Sequence, residues 1–174
     1  MDTERESICC FTGHRSISRE TKFETSLKIK HTVNHLIRKG VRTFIVGGAL
    51  GFDTIAAATV INMRDNDALF DENGERVSIS LHVAVPCKGQ SDKWSFGDRT
   101  LYNSILSSAD SVTVLSDTYT RDCMFARNRY MVDRSAYCVC FVTRRCGGSY
   151  YTMNYAKRSG LEIINLAPLE EAVL

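Results

Sequence analysis

Short apolar runs alternate with amphipathic stretches of helical period along almost the whole chain, and this alternation constrains the fold more than any other feature. Residues 7–11, 41–46, 77–85, 111–115, 137–142 and 161–166 read as six strands. The first long helix, of about 20 residues, ends near Gly40 and carries an apolar stripe of Leu27, Val33, Leu36 and Ile37. Asp53 reads as the N-cap of a helix bearing Ala56, Ala57, Val60 and Met63. Three more helices are expected: about 14 residues ending near Ala109, then 122–134, then 149–159, the last stopped by Gly160. Regular alternation of this kind implies right-handed crossovers and a mostly parallel sheet. The strands are nearly continuous apolar runs, as burial on both faces requires. Residues 66–76 break the pattern. Asp71-Glu72-Asn73-Gly74 reads as a turn, with an added hairpin between Leu69 and Val77.

The 174 residues are one ordinary domain's worth of sequence, and the expectation is a single domain over 1–174. At 44% hydrophobic and 24% charged the chain reads as globular. No apolar run approaches the roughly 18 residues of a membrane span, and the charged start Met1-Asp2-Thr3-Glu4-Arg5-Glu6 shows no secretory leader. A net charge of +2 argues against a general nucleic-acid clamp. Seven cysteines, with no C-x-x-C pair, suit a reducing cytoplasm. Cys138 and Cys140, two apart in an apolar strand, share one face and read as buried packing thiols. His31 and His35 have the i,i+4 spacing of a metal pair but no evident third ligand, so no metal is expected. Tyr150, Tyr151 and Tyr155 serve either a homo-oligomer interface or the core.

In an open parallel sheet, ligands bind beyond the carboxyl ends of the strands. Five loops lie there. They carry Thr12-Gly13-His14-Arg15, then 47–53, then 86–94, then 116–121, then 143–149. Gly47-Gly48 and Gly147-Gly148-Ser149 each stand at a strand-to-helix junction, where small residues let amides approach an anion and the helix N-terminus adds partial positive charge. Arg15 suits a bidentate phosphate contact. Arg127 and Asn128, early in their helix, face either the ligand edge or solvent; Arg129 has Asp133 as an i,i+4 partner. Trp94 and Tyr119 are candidate stacking surfaces for a base, Trp94 otherwise capping the core. Arg15, Lys88, Lys93, Arg121, Arg127, Arg144 and Arg145 all fall in or beside these loops. Overall near-neutrality therefore fits a small, localised phosphate site.

Taken in order, Thr12-Gly13-His14-Arg15, Gly47-Gly48-Ala49-x-Gly51-x-Asp53, Pro86-x3-Gln90-x3-Trp94, Arg127-Asn128-x-Tyr130-Met131-Val132-Asp133 and Gly147-Gly148-Ser149-x-Tyr151-Thr152 resemble the YpsA family of small bacterial and phage proteins, within the SLOG superfamily. The resemblance runs from the first strand to the sixth. It implies an α/β fold: a Rossmann-like, doubly wound, mostly parallel six-stranded sheet with helices on both faces. Analogy with such folds suggests strand order 3-2-1-4-5-6. Relatives include DNA-processing protein DprA, whose core has similar Gly-Ala-x-Gly-x-Asp and Arg-Asn-Arg segments, and the LOG phosphoribohydrolases.

The resemblance implies a nucleotide or nucleotide-derived, ADP-ribose-like ligand, sensed or sequestered, with NAD-derived compounds among the candidates. Membrane and nucleic-acid partners are not expected. The LOG enzymes place an arginine ahead of a methionine and a glutamate after a glycine pair. Arg127 precedes Met131 by the matching interval and Gly147-Gly148 match the glycines, but Tyr150 replaces the next glycine and Asn154 stands at the glutamate position. Asparagine exchanges no proton. The alternative of a hydrolase cleaving the N-glycosidic bond of a nucleoside monophosphate would rest on Arg127, with Asp53 as substitute acid. A third alternative is DprA-like binding of single-stranded DNA. The ligand-contact set expected is Thr12, Gly13, His14, Arg15, Gly47, Gly48, Gly51, Asp53, Gln90, Trp94, Tyr119, Arg127, Asn128, Gly147, Gly148 and Ser149.

Overall fold

The computed structural model describes residues 3–168. After a single helical turn, α1 (Thr3–Glu6), the order is β1 (Ile8–Gly13), α2 (Arg19–Arg38), β2 (Thr43–Val46) and α3 (Phe52–Asn66). A hairpin, β3 (Leu69–Phe70) with β4 (Arg76–Val77), follows. The chain continues through β5 (Ser80–Val85), α4 (Phe96–Ser108), β6 (Ser111–Val114), α5 (Cys123–Asp133), β7 (Tyr137–Phe141), α6 (Gly147–Arg158) and β8 (Glu162–Asn165). The expected third strand is thus two elements. Val77 pairs antiparallel with Leu69, and the sheet strand starts at Ser80.

Six strands form one parallel sheet in the order β6-β5-β2-β1-β7-β8. In order of appearance among the sheet strands this is 4-3-2-1-5-6, which corrects the 3-2-1-4-5-6 expected by analogy. The crossover through α4 continues outward and leaves β6 on the edge, and the crossover through α5 returns over the sheet to β7, beside β1. Winding therefore reverses at β1, and a crevice opens beyond the ends of β1 and β7.

Alternate residues of each strand serve opposite cores. Cys9 and Phe11 join Val33, Leu36, Val60 and Met63 of α2 and α3. Cys10, Cys138 and Cys140 join Met131, Val132 and Ala156 of α5 and α6. The paired cysteines are fully buried, and the neighbouring thiols together with burial push Cys138 well above its ordinary value. Two expectations of burial fail. Leu27 is 42% exposed, because α2 turns Thr25, Ile29, Val33, Leu36 and Ile37 inward instead. On β6, Val112 and Val114 are 41% and 45% exposed; two residues apart, they share one face of this outermost strand, which is left partly uncovered.

Serines start two of the helices. Ser18 accepts the amide of Thr21 at 3.3 Å and Ser95 that of Asp98 at 3.1 Å, each satisfying one orphan donor of a first turn. His31 and His35 lie exposed on α2. Among the described residues, no helix is long and apolar enough to cross a membrane.

Candidate functional site

A cavity of about 280 Å³ occupies the crevice at the winding reversal. The loop after β1 supplies Thr12, Gly13, His14 and Arg15. The loop after β2 and the start of α3 supply Ala49 and Asp53. From α5 come Met124, Phe125, Arg127, Asn128 and Met131, and from α6 come Gly148 and Ser149.

Asp53 and Arg127 form the buried floor, at 5% exposure each. Asp53 does not cap its helix as expected. Gly51 holds the N-cap position at φ +76°, where a side chain would run into the backbone of Arg15, so Asp53 falls inside the first turn. Its Oδ2 instead accepts the amides of Gly47 at 3.0 Å and Ala49 at 3.3 Å, which folds the β2 loop back onto α3. Burial raises the Asp53 carboxyl, opposed first by the positive field of Arg127, then by those two amides and by Arg15.

Arg127 reaches the same loop from the other side of the sheet. Its Nη1 donates to the carbonyl of Gly47, and its Nε to Asn128 Oδ1 at 2.7 Å. The guanidinium lies where the Cβ of any larger residue 47 would be, which explains the glycine there. Burial lowers the Arg127 guanidinium, and the charge of Asp53 opposes that shift. Arg127 Nη2 and Asp53 Oδ1 have no hydrogen-bond partner among the described residues. Neither is among the buried orphan atoms, so both keep an opening to the cavity their residues line. The cavity therefore presents one cationic donor and one anionic acceptor, with exposed Arg15 above them.

Other candidates hold the walls together. His14 Nε2 accepts the amide of Thr143 at 2.9 Å, joining the loops after β1 and β7. Ser149 Oγ donates to the carbonyl of Gly13 at 2.7 Å and clamps α6 to the first loop. Gln90 donates to the Gly48 carbonyl at 3.3 Å and accepts from Tyr102, whose ring meets Trp94 edge-on with centroids 5.2 Å apart. Gln90, Gly48 and Trp94 thus brace the β2 loop from behind and do not line the cavity.

Gly47 and Gly51 likewise shape the cavity without lining it, and Tyr119, 70% exposed, does not line it. Gly147 and Asn154 sit together along a separate, shallower groove of α6. Lys88 pairs with Asp117 at 2.5 Å, so of the cations expected at this edge only Arg15 and Arg127 line the cavity. Arg129 donates to Tyr151 at 3.0 Å rather than pairing with Asp133.

Sequence reasoning missed Met124, Phe125 and Met131. Met124 and Met131, three before and four after Arg127, share its helix face and that spacing would have pointed to the cavity, whereas Phe125, two before it, carries no such signal.

Comparison with known proteins gives this geometry a family. In fold, the chain is similar to DNA processing protein A of Helicobacter pylori, with TM-score 0.60, 15% identity, 91% of this chain and 64% of that one covered. It is similar also to DprA of Streptococcus pneumoniae, with TM-score 0.63, 16% identity, 95% of this chain and 51% of that one. In sequence, it is 28% identical to the UPF0398 protein BH1768 of Halalkalibacterium halodurans over 126 residues, 71% of this chain. The chain spans only 62% of that relative's length. It is 27% identical over 157 residues to the uncharacterized SPbeta prophage-derived protein YoqJ of Bacillus subtilis, covering 80% of this chain and 86% of that one. The YpsA family model matches residues 9–163, from β1 into β8, and the chain belongs to the YspA SLOG family.

Proposed function

We propose that this chain binds a nucleotide or nucleotide-derived, ADP-ribose-like ligand in the β1–β7 crevice and acts as a sensor or sequestering protein. The observation that carries this reading is the pair of open valences on the cavity floor: Arg127 Nη2 offers donors, and Asp53 Oδ1 offers an acceptor. A bare inorganic anion has no use for a carboxylate beside it. A phosphorylated sugar uses both, placing phosphate against the guanidiniums of Arg127 and Arg15 and a hydroxyl against Asp53. The volume of about 280 Å³ is at the lower end for small-molecule sites, which suits a phosphoribosyl unit.

A second reading, cleavage of an N-glycosidic bond, draws on the raised carboxyl of Asp53 inside the same cavity. Against it, Asp53 Oδ2 is already held by two amides, and Asn154 lies outside the cavity. A third source is fold likeness: the Helicobacter pylori relative has a single-stranded DNA binding mode. Here the cationic groups of the cavity are two, which favours a small ligand over a long polyanion.

Thermal-shift screening with AMP, ADP-ribose and NAD tests the reading, and chromatography of the recovered ligand separates binding from cleavage. The expected result is stabilisation by at least one compound, recovered intact. Absence of stabilisation by all three, together with salt-sensitive binding of a single-stranded oligonucleotide, would transfer the function to DNA.

A further inference from the structure

Phe125 is the unexplained residue of the site. It lies two positions before Arg127 on α5 and lines the main cavity, yet it is 41% exposed. It also lines a second, more open cavity of about 490 Å³ with Asp122, Arg129 and Tyr151. The two cavities meet at this ring.

The ring is firmly supported. Tyr151 meets it edge-on, with centroids 5.0 Å apart and planes at 79°. Tyr151 accepts from Arg129 at 3.0 Å and lies parallel to Tyr155 at 6.5 Å. Tyr155 in turn donates to Asp133 at 2.9 Å. Helices α5 and α6 thus hold Phe125 in an aromatic array, and a preorganised ring loses little entropy on binding a partner. An exposed apolar ring gains most from a flat partner of mixed polarity, because Asp122 and Arg129 beside it satisfy polar edges that an aliphatic chain lacks.

We propose that Phe125 is the stacking surface for the ligand's base, and that the Phe125–Tyr151 pair makes the site prefer base-bearing phosphoribosyl compounds over phosphosugars without a base. This rests on the nucleotide reading: the phosphoribosyl unit fills the inner cavity and the base emerges over Phe125 into the outer one. It also moves the stacking role away from Trp94 and Tyr119, neither of which lines either cavity.

The test is calorimetric titration of the full chain with AMP and with ribose 5-phosphate, on the native sequence and on Phe125→Ala and Phe125→Trp. The native chain should bind AMP about tenfold or more tighter than ribose 5-phosphate. Phe125→Ala should bring that ratio close to one, the affinity for AMP falling more than that for ribose 5-phosphate, and Phe125→Trp should preserve the ratio. Circular dichroism checks that both variants keep the native fold, and the ratio of the two affinities is read within each variant, so a modest loss of stability in Phe125→Ala does not move it. An unchanged ratio in Phe125→Ala would overturn the stacking role and leave the phosphoribosyl site standing. Failure of both compounds to bind the native chain would overturn the nucleotide reading and this proposal with it. A single-stranded oligonucleotide that binds in place of AMP, and loses affinity in Phe125→Ala, would overturn the small-ligand assignment.

Discussion

Asp53 and Arg127 grip the backbone of one residue from its two ends: the carboxylate accepts the amide of Gly47 at 3.0 Å, while the guanidinium donates to its carbonyl. The residues come from helices on opposite faces of the sheet, so the backbone of Gly47 links the two layers at the floor of the crevice. Neither side chain is spent on this link, since each keeps one polar atom open to the cavity.

Arg127→Met should lower stability by about 1.5–3 kcal/mol through loss of a charge-assisted hydrogen bond. Asp53→Asn should cost less, because the amide oxygen still accepts from Gly47 and Ala49. The double variant should fall short of the sum of the two by about 0.5–3 kcal/mol, read from urea unfolding of all four proteins. Strict additivity would mean that the backbone of Gly47 does not couple the pair.

The two glycine pairs should respond oppositely. At Gly47 an added methyl meets the Arg127 guanidinium, so Gly47→Ala should destabilise by about 1–3 kcal/mol. Gly148 has open space around its Cβ position and sits within α6, so Gly148→Ala should leave stability unchanged or raise it by up to about 1 kcal/mol. Thermal melts of the two variants check the contrast.

His82 should impose a pH dependence. Its Nδ1 lies 2.6 Å from Ser111 Oγ, its ring stacks on Tyr130 at 6.1 Å, and its Nε2 is buried without a partner among the described residues. Burial, and then Arg134, lower its value below the ordinary 6.5. Between the folded and unfolded values the unfolded chain therefore holds more protons, so stability rises with pH through that window and is lost as pH falls below 6.5. His82→Phe keeps a ring against Tyr130 and should flatten this slope. Urea midpoints between about pH 5 and 7 provide the measurement.

Of the seven cysteines, six are buried and only Cys146, just before Gly147, is exposed. Ellman's reagent should titrate one thiol rapidly in the native protein and seven in denaturant. Cys146→Ser should remove the fast phase and nothing else.

Much of this was legible along the chain. Continuous apolar runs and period-3.6 stripes are local properties of a segment, so residues 7–11 and 137–142 read as strands, and the Asp71–Gly74 turn announced its hairpin, without knowledge of neighbours. The loops rich in glycine, hydroxyl and cationic groups marked one end of the sheet for the same reason. Local reading erred where a residue's partner is distant in sequence. Asp53 looks like a cap because it precedes a helix, but the Gly47 turn brings two amides to it first. Arg129 has Asp133 one turn away, yet Tyr151 on α6 takes its guanidinium.

The sequence by itself determined which segments are strand or helix, which faces are apolar and which loops carry glycine, hydroxyl and cationic groups, because backbone geometry and side-chain period act over a few residues. The tertiary structure alone decided that β6 stands at the edge and that β7 lies beside β1. That choice sets where winding reverses, and so which of five similar loops converge. It brings α5 over the crevice, which makes Arg127 and Phe125 part of the site and leaves Trp94 and Tyr119 outside it. Strand order is settled by packing between elements far apart in the chain, where local propensity carries no information.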